Sequence, residues 1–85
     1  MVIRNQNKTA IYNWVQVELI FTVEIAKALD KEPEGIIRIG INGNSTEIAR
    51  YSTKAKADDV LDTLFLYIAR GETSYDMPSD EDVFI

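Results

Sequence analysis

Only one stretch of this 85-residue chain carries a helical repeat, so a single helix has to cover whatever else the chain forms. Residues 51–71, YSTKAKADDVLDTLFLYIARG, open on Ser52 and Thr53, whose hydroxyls suit the start of a helix. They close on Arg70 and Gly71, a cation for the negative pole of the dipole and a residue that accepts the left-handed cap. Ala57, Val60, Leu61, Leu64 and Ile68 recur at spacings of three and four and make one apolar face, which Phe65 and Tyr67 widen. Lys56, Asp59, Asp62, Thr63 and Arg70 make the opposite face. At about 100° per residue, Leu66 falls among these polar residues and points away from the stripe. Leu66 and Phe65 are therefore candidate contacts with a second chain.

The rest of the chain alternates with period two, the signature of strands with one covered face. Residues 1–5 and 9–13 read as a hairpin around Asn5-Gln6-Asn7-Lys8. Residues 15–26, VQVELIFTVEIA, give the longest strand signal, with Val17, Leu19, Phe21 and Val23 on the predicted inner face. Ile20 interrupts the outer face and marks a candidate contact. Residues 26–30 carry helix-forming residues suited to a single turn. Residues 36–41, IIRIGI, form a strand with Ile37, Ile39 and Ile41 on one face. Asn42-Gly43 then predicts a tight hairpin turn, because both residues tolerate positive φ. Residues 46–51 return and lead into the helix, and residues 75–78 form a short edge strand stopped by Pro78.

Composition limits the chemistry. The chain has no histidine and no cysteine, which removes the commonest neutral-pH base, the thiol nucleophile and most transition-metal ligands. No Gly-x-Ser-x-Gly turn, Ser-x-x-Lys pair or phosphate-binding loop occurs. Asp58 and Asp62 sit one helical turn apart, but carboxylates there also suit the N-terminal half of a solvated helix. No catalytic residue, cofactor, metal or small-molecule substrate is expected. No apolar run is long enough to span a membrane, and no basic region leads an apolar one as in a secretory leader. The absence of cysteine fits a reducing cytoplasm.

A net charge of −5 disfavours non-specific nucleic-acid binding, which draws on lysine and arginine. The competing reading is a small nucleic-acid-binding module that uses Arg38 and Arg50 with the aromatics Tyr12, Trp14 and Tyr51. An acidic surface also permits mimicry of nucleic acid, provided that Asp58, Asp59, Asp62 and the tail at 79–82 gather on one face. Val83, Phe84 and Ile85, after that acidic segment, are further candidate contacts for a partner groove.

Three short motifs, IRNQNK near the start, YSTKAKADDVLD at the helix and YDMP near the end, resemble a group of small phage and mobile-element proteins of Firmicutes. Tyr51, Ser52, Thr53, Ala57, Val60, Leu61, Asp62, Met77 and Pro78 match the group's pattern. Ala49 and Arg50 depart from it, standing where the group has Gly and Glu. The central strands lie outside the likeness. The group has no established activity, so the resemblance implies an origin in a bacterial cell rather than a mechanism.

The expectation is one α+β domain over 1–85, with strands over about 1–51, a helix over about 52–70, and a short strand and acidic tail over 71–85. Four to five strands form an antiparallel meander with the helix across one face. The expected function is non-enzymatic association, as a homo-oligomer or with a host or phage protein.

Overall fold

The computed structural model describes residues 1–27, 29 and 31–85. The described residues form an α+β fold of six strands in two three-stranded sheets, with one α-helix. The first sheet has order β2-β1-β6, from Ile11–Asn13, Val2–Arg4 and Ser74–Asp76. The second has order β3-β4-β5, from Leu19–Ile25, Glu34–Ile41 and Asn44–Tyr51. The predicted meander is thus divided. Its N-terminal hairpin, β1 with β2, leaves the main sheet and takes β6 as a parallel partner, with Ile3 beside Tyr75. The helical turn expected over 26–30 rests partly on positions outside the described residues.

The helix α1, Lys54–Ala69, keeps both expected ends. Thr53 is the N-cap, and its Oγ1 accepts from the Lys56 N–H at 3.1 Å. At the other end Gly71 adopts φ +74°. Its N–H donates to Ile68 O and that of Glu72 to Tyr67 O, both at 3.1 Å, the paired bonds of a Schellman cap. The β4–β5 turn is also as predicted: Asn42 and Gly43 take φ +52° and +80°.

The inner face of β3 is not the one that its alternation predicts. Cross-strand partners share a face, and the register sets Ile20 opposite Ile39 and Thr22 opposite Ile37. Ile37 and Ile39 are buried under the helix, so the even-numbered residues of β3 turn towards it. Ile20 packs on the core, and Thr22 donates to Asp58 of the helix at 2.8 Å. Leu19, Phe21 and Val23 lie on the other face, and Leu19 is well exposed. The strand also starts later than predicted, because Trp14–Gln16 form a 3-10 turn held by the Asn13 side chain. One residue of register reverses every side chain of a strand, and the sequence of β3, apolar on both faces, does not resist that reversal.

A bulge lies between the partners of Ile37 and Arg38, where the register moves from Ala49 to Glu47. The two neighbours Ile48 and Ala49 are consequently both buried. The core joins Ile37, Ile39 and Ile48 of the sheet to Ala57, Val60 and Leu64 of the helix. Ile3, Tyr75, Met77 and Val83 close it from the second sheet and the C-terminal segment.

Gly35 seats the helix. A Cβ at this position would lie 2.6 Å from the Ala57 Cβ, 2.7 Å from the Lys54 Cα and 2.8 Å from the Thr53 carbonyl oxygen. Two of those atoms are backbone and the third belongs to a fully buried alanine, so none can swing away. Gly35→Ala is expected to cost about 2–3 kcal/mol by overpacking, read as a lower urea midpoint. An unchanged midpoint would show that the helix can lift off β4 at little cost.

Candidate functional site

The two edges of the β3-β4-β5 sheet differ. The C-terminal half of the β5 edge, at Ile48 and Arg50, is covered by Gln6. The Gln6 N–H donates to Ile48 O at 2.8 Å, and its side chain takes both backbone groups of Arg50. The Arg50 N–H donates to Gln6 Oε1 at 2.8 Å, and Gln6 Nε2 donates to Arg50 O at 2.9 Å. One glutamine thus substitutes for a neighbouring strand and ties the two sheets together. The β3 edge pairs with no further strand among the described residues.

Beside that open edge runs an apolar groove of about 530 Å³, formed where α1 lies over β3. Ile20, Leu61, Leu64, Ile68 and Trp14 line it, and Phe65 and Asp62 stand at its rim. Phe65 is 67% exposed, a large figure for a phenylalanine on a helix that also has a buried stripe. On the opposite face of the sheet, Leu19, Phe21 and Val23 continue the apolar surface of β3. The edge is therefore flanked by apolar side chains above and below.

The candidate residues fall into separate places. Ile20 and Phe65 meet at the groove. Leu66 is half exposed, as its helical phase predicts, but does not line the groove. Val83 is buried in the core, which removes it from the free surface and makes it an anchor of the C-terminal segment. Phe84 and Ile85 are exposed beyond it, and Phe84 stands on the side of the helix away from β3.

Arg38, Arg50 and the aromatics do not converge. Arg50 is held by Glu34 and Glu47, each at 3.0 Å, and Arg38 is bonded to the backbone and side chain of Ser45. Tyr51 is buried, donates its hydroxyl to Pro78 O at 2.8 Å, and is pushed above the usual phenol range by burial. Trp14 belongs to the groove. The aspartates are divided as well. Asp58 is paired with Lys54 at 2.7 Å and bonded to Thr22 on the β3 side, whereas Asp59 lies on the opposite flank. The single acidic face needed for nucleic-acid mimicry is absent among the described residues. The length of the run 15–26, which outruns its partners, already pointed to an open edge there, whereas the Gln6 clamp depends on which strands become neighbours and lay beyond the sequence reading.

No protein-family model matches the chain, and no curated protein or solved structure compared with it is similar. Among the described residues, no helix is long and apolar enough to cross a membrane.

The C-terminal segment is held to the helix start by charge. Asp80 accepts from the Ser52 N–H at 2.6 Å and pairs with Lys56 at 3.4 Å. The Ser52 bond, with Lys56 adding to it, holds the Asp80 carboxyl below its ordinary value. The hydrogen bond and charge of Lys54 do the same for Asp58, and those of Arg4 for Asp76. A carboxyl depressed in the folded state adds stability above its unfolded pKa of about 4 and loses it as pH falls through the folded value. Urea midpoints should hold near neutrality and fall below about pH 4. The fall should be shallower in Asp80→Asn, and an identical acid slope in that variant would remove Asp80 from the account.

Proposed function

We propose that this protein is a non-enzymatic interaction module of phage or mobile-element origin, working in the bacterial cytoplasm, and that it self-associates through β3. The observation that carries the reading is the open β3 edge with apolar side chains on both of its faces. A strand added there meets Leu19, Phe21 and Val23 on one face and Ile20 with the groove on the other, and β3, LIFTVEI, offers the matching set with a single charge, Glu24. Two copies related by a dyad join β3 to β3 and make one six-stranded sheet, with both grooves and both Phe65 rings along the seam. Growth beyond two copies is disfavoured, because Gln6 covers the C-terminal half of each remaining β5 edge. An isologous contact of this kind stays finite, whereas two open edges would favour fibres.

The expected result is twice the monomer mass by light scattering behind a sizing column, from low micromolar to millimolar protein. Leu19→Lys on the edge and Phe65→Asp on the rim should each shift the protein to monomer, with circular dichroism unchanged. Leu66→Asp, outside the groove, should leave the dimer intact. A wild-type monomer at every concentration would end the self-association reading and leave the edge to a different protein. A dimer broken by Leu66→Asp alone would move the interface to the outer face of the helix.

A further inference from the structure

On the flank of α1 away from β3, the helix and the C-terminal segment enclose a second cavity of about 430 Å³. Its lining includes three carboxylates, from Asp59, Asp76 and Asp82, and three rings, from Tyr67, Tyr75 and Phe84. Among the described residues, one of these carboxylates has a cation: Arg4 holds Asp76 through Nε and Nη2, both at 2.8 Å. Asp82 accepts from the Ser79 hydroxyl at 2.9 Å, a neutral partner, and Asp59 has no salt-bridge partner among the described residues. The cavity therefore keeps an excess of negative charge.

Acidic side chains alone would describe a solvated surface, but Tyr75 adds a second feature. It is only 7% exposed, yet its hydroxyl has no hydrogen-bond partner among the described residues. Because no fully enclosed side-chain polar atom among them lacks a partner, this hydroxyl is not fully enclosed, and Tyr75 is part of the cavity wall. Burial, with Tyr67 and Asp59 adding to it, pushes the phenol up to about 12, so it stays protonated at physiological pH. It therefore offers an acceptor lone pair to an N–H donor, and its proton remains available to a carboxylate. The rings of Tyr67 and Tyr75 are set edge to face, with centroids 4.8 Å apart at 78°, which holds the wall in place.

We propose that this cavity binds an organic cation, the guanidinium or ammonium head of an arginine or lysine side chain on a partner protein. Asp59 and Asp82 supply the charge, the Tyr75 hydroxyl an acceptor, and the rings of Tyr67 and Phe84 an apolar wall suited to a cation's alkyl stem and to cation–π attraction. A metal ion fits less well, since hard cations take several oxygen ligands at once and no three carboxylates among the described residues are placed to hold one. The site is separate from the β3 edge, so each reading stands or falls without the other.

The test is titration of the intact protein with n-propylguanidinium or n-butylammonium chloride, followed by amide ¹H–¹⁵N spectra. Saturable shifts are expected at Asp59, Tyr75 and Asp82, with none at Ile20 or Phe65. Sodium chloride at equal ionic strength should not reproduce them. Asp59→Asn, at an exposed position, should weaken binding several-fold, and so should Tyr75→Phe, which keeps the ring. Shifts that never saturate, that sodium chloride reproduces, or that survive Asp59→Asn unchanged would overturn the proposal. If Tyr75→Phe proves poorly folded, Asp59→Asn decides. Saturation by one cation alone selects arginine or lysine as the recognised side chain.

Discussion

The fold depends on how closely the start of the helix approaches β4. At Gly35 the backbone of the strand meets the Thr53 carbonyl, the Lys54 Cα and the Ala57 methyl with no room for a side chain. That contact fixes the height of α1 above the sheet and the end from which it sets out. Thr53 caps the same turn, and Asp80 reaches the Ser52 N–H just before it. A backbone close approach, a cap and a charge-assisted bond therefore act at one place. The rest of the helix needs only to lay Ala57, Val60 and Leu64 onto Ile37, Ile39 and Ile48.

Once its height is set, a single helix cannot cover two sheets evenly. Ala57, Val60 and Leu64 are buried, Tyr67 meets Tyr75 on one flank, and Leu61, Phe65 and Ile68 are left as the wall of a groove on the other. Both cavities follow from that imbalance. The flank beside β3 is apolar because β3 brings Ile20, and the flank beside the C-terminal segment is acidic because Asp59, Asp76 and Asp82 come together there. The structure thus offers two chemically different surfaces on opposite sides of one element.

The two edges of the β3-β4-β5 sheet are finished differently. Unpaired N–H and C=O groups invite other strands. Gln6 satisfies those of Arg50 with a side-chain amide, which presents one acceptor and one donor as a peptide group does. The β3 edge has no comparable device among the described residues.

Local features could be read from the residues alone. The helix and both its ends, the Asn42-Gly43 turn, the N-terminal hairpin and the outward phase of Leu66 all rest on groups within a few positions of each other. Caps, turns and helical phase act over that range, so neighbouring residues suffice to determine them. What required the tertiary structure is everything that turns on long-range register. The face of β3 under the helix was set by pairing Ile20 with Ile39, and the apolar residues on both faces of β3 left that open. The departure of β1 to pair with β6, the burial of Val83, the Gln6 clamp and the meeting of Asp59 with Tyr75 join residues far apart in the chain. Their closeness comes from how whole elements pack, and no local pattern records it.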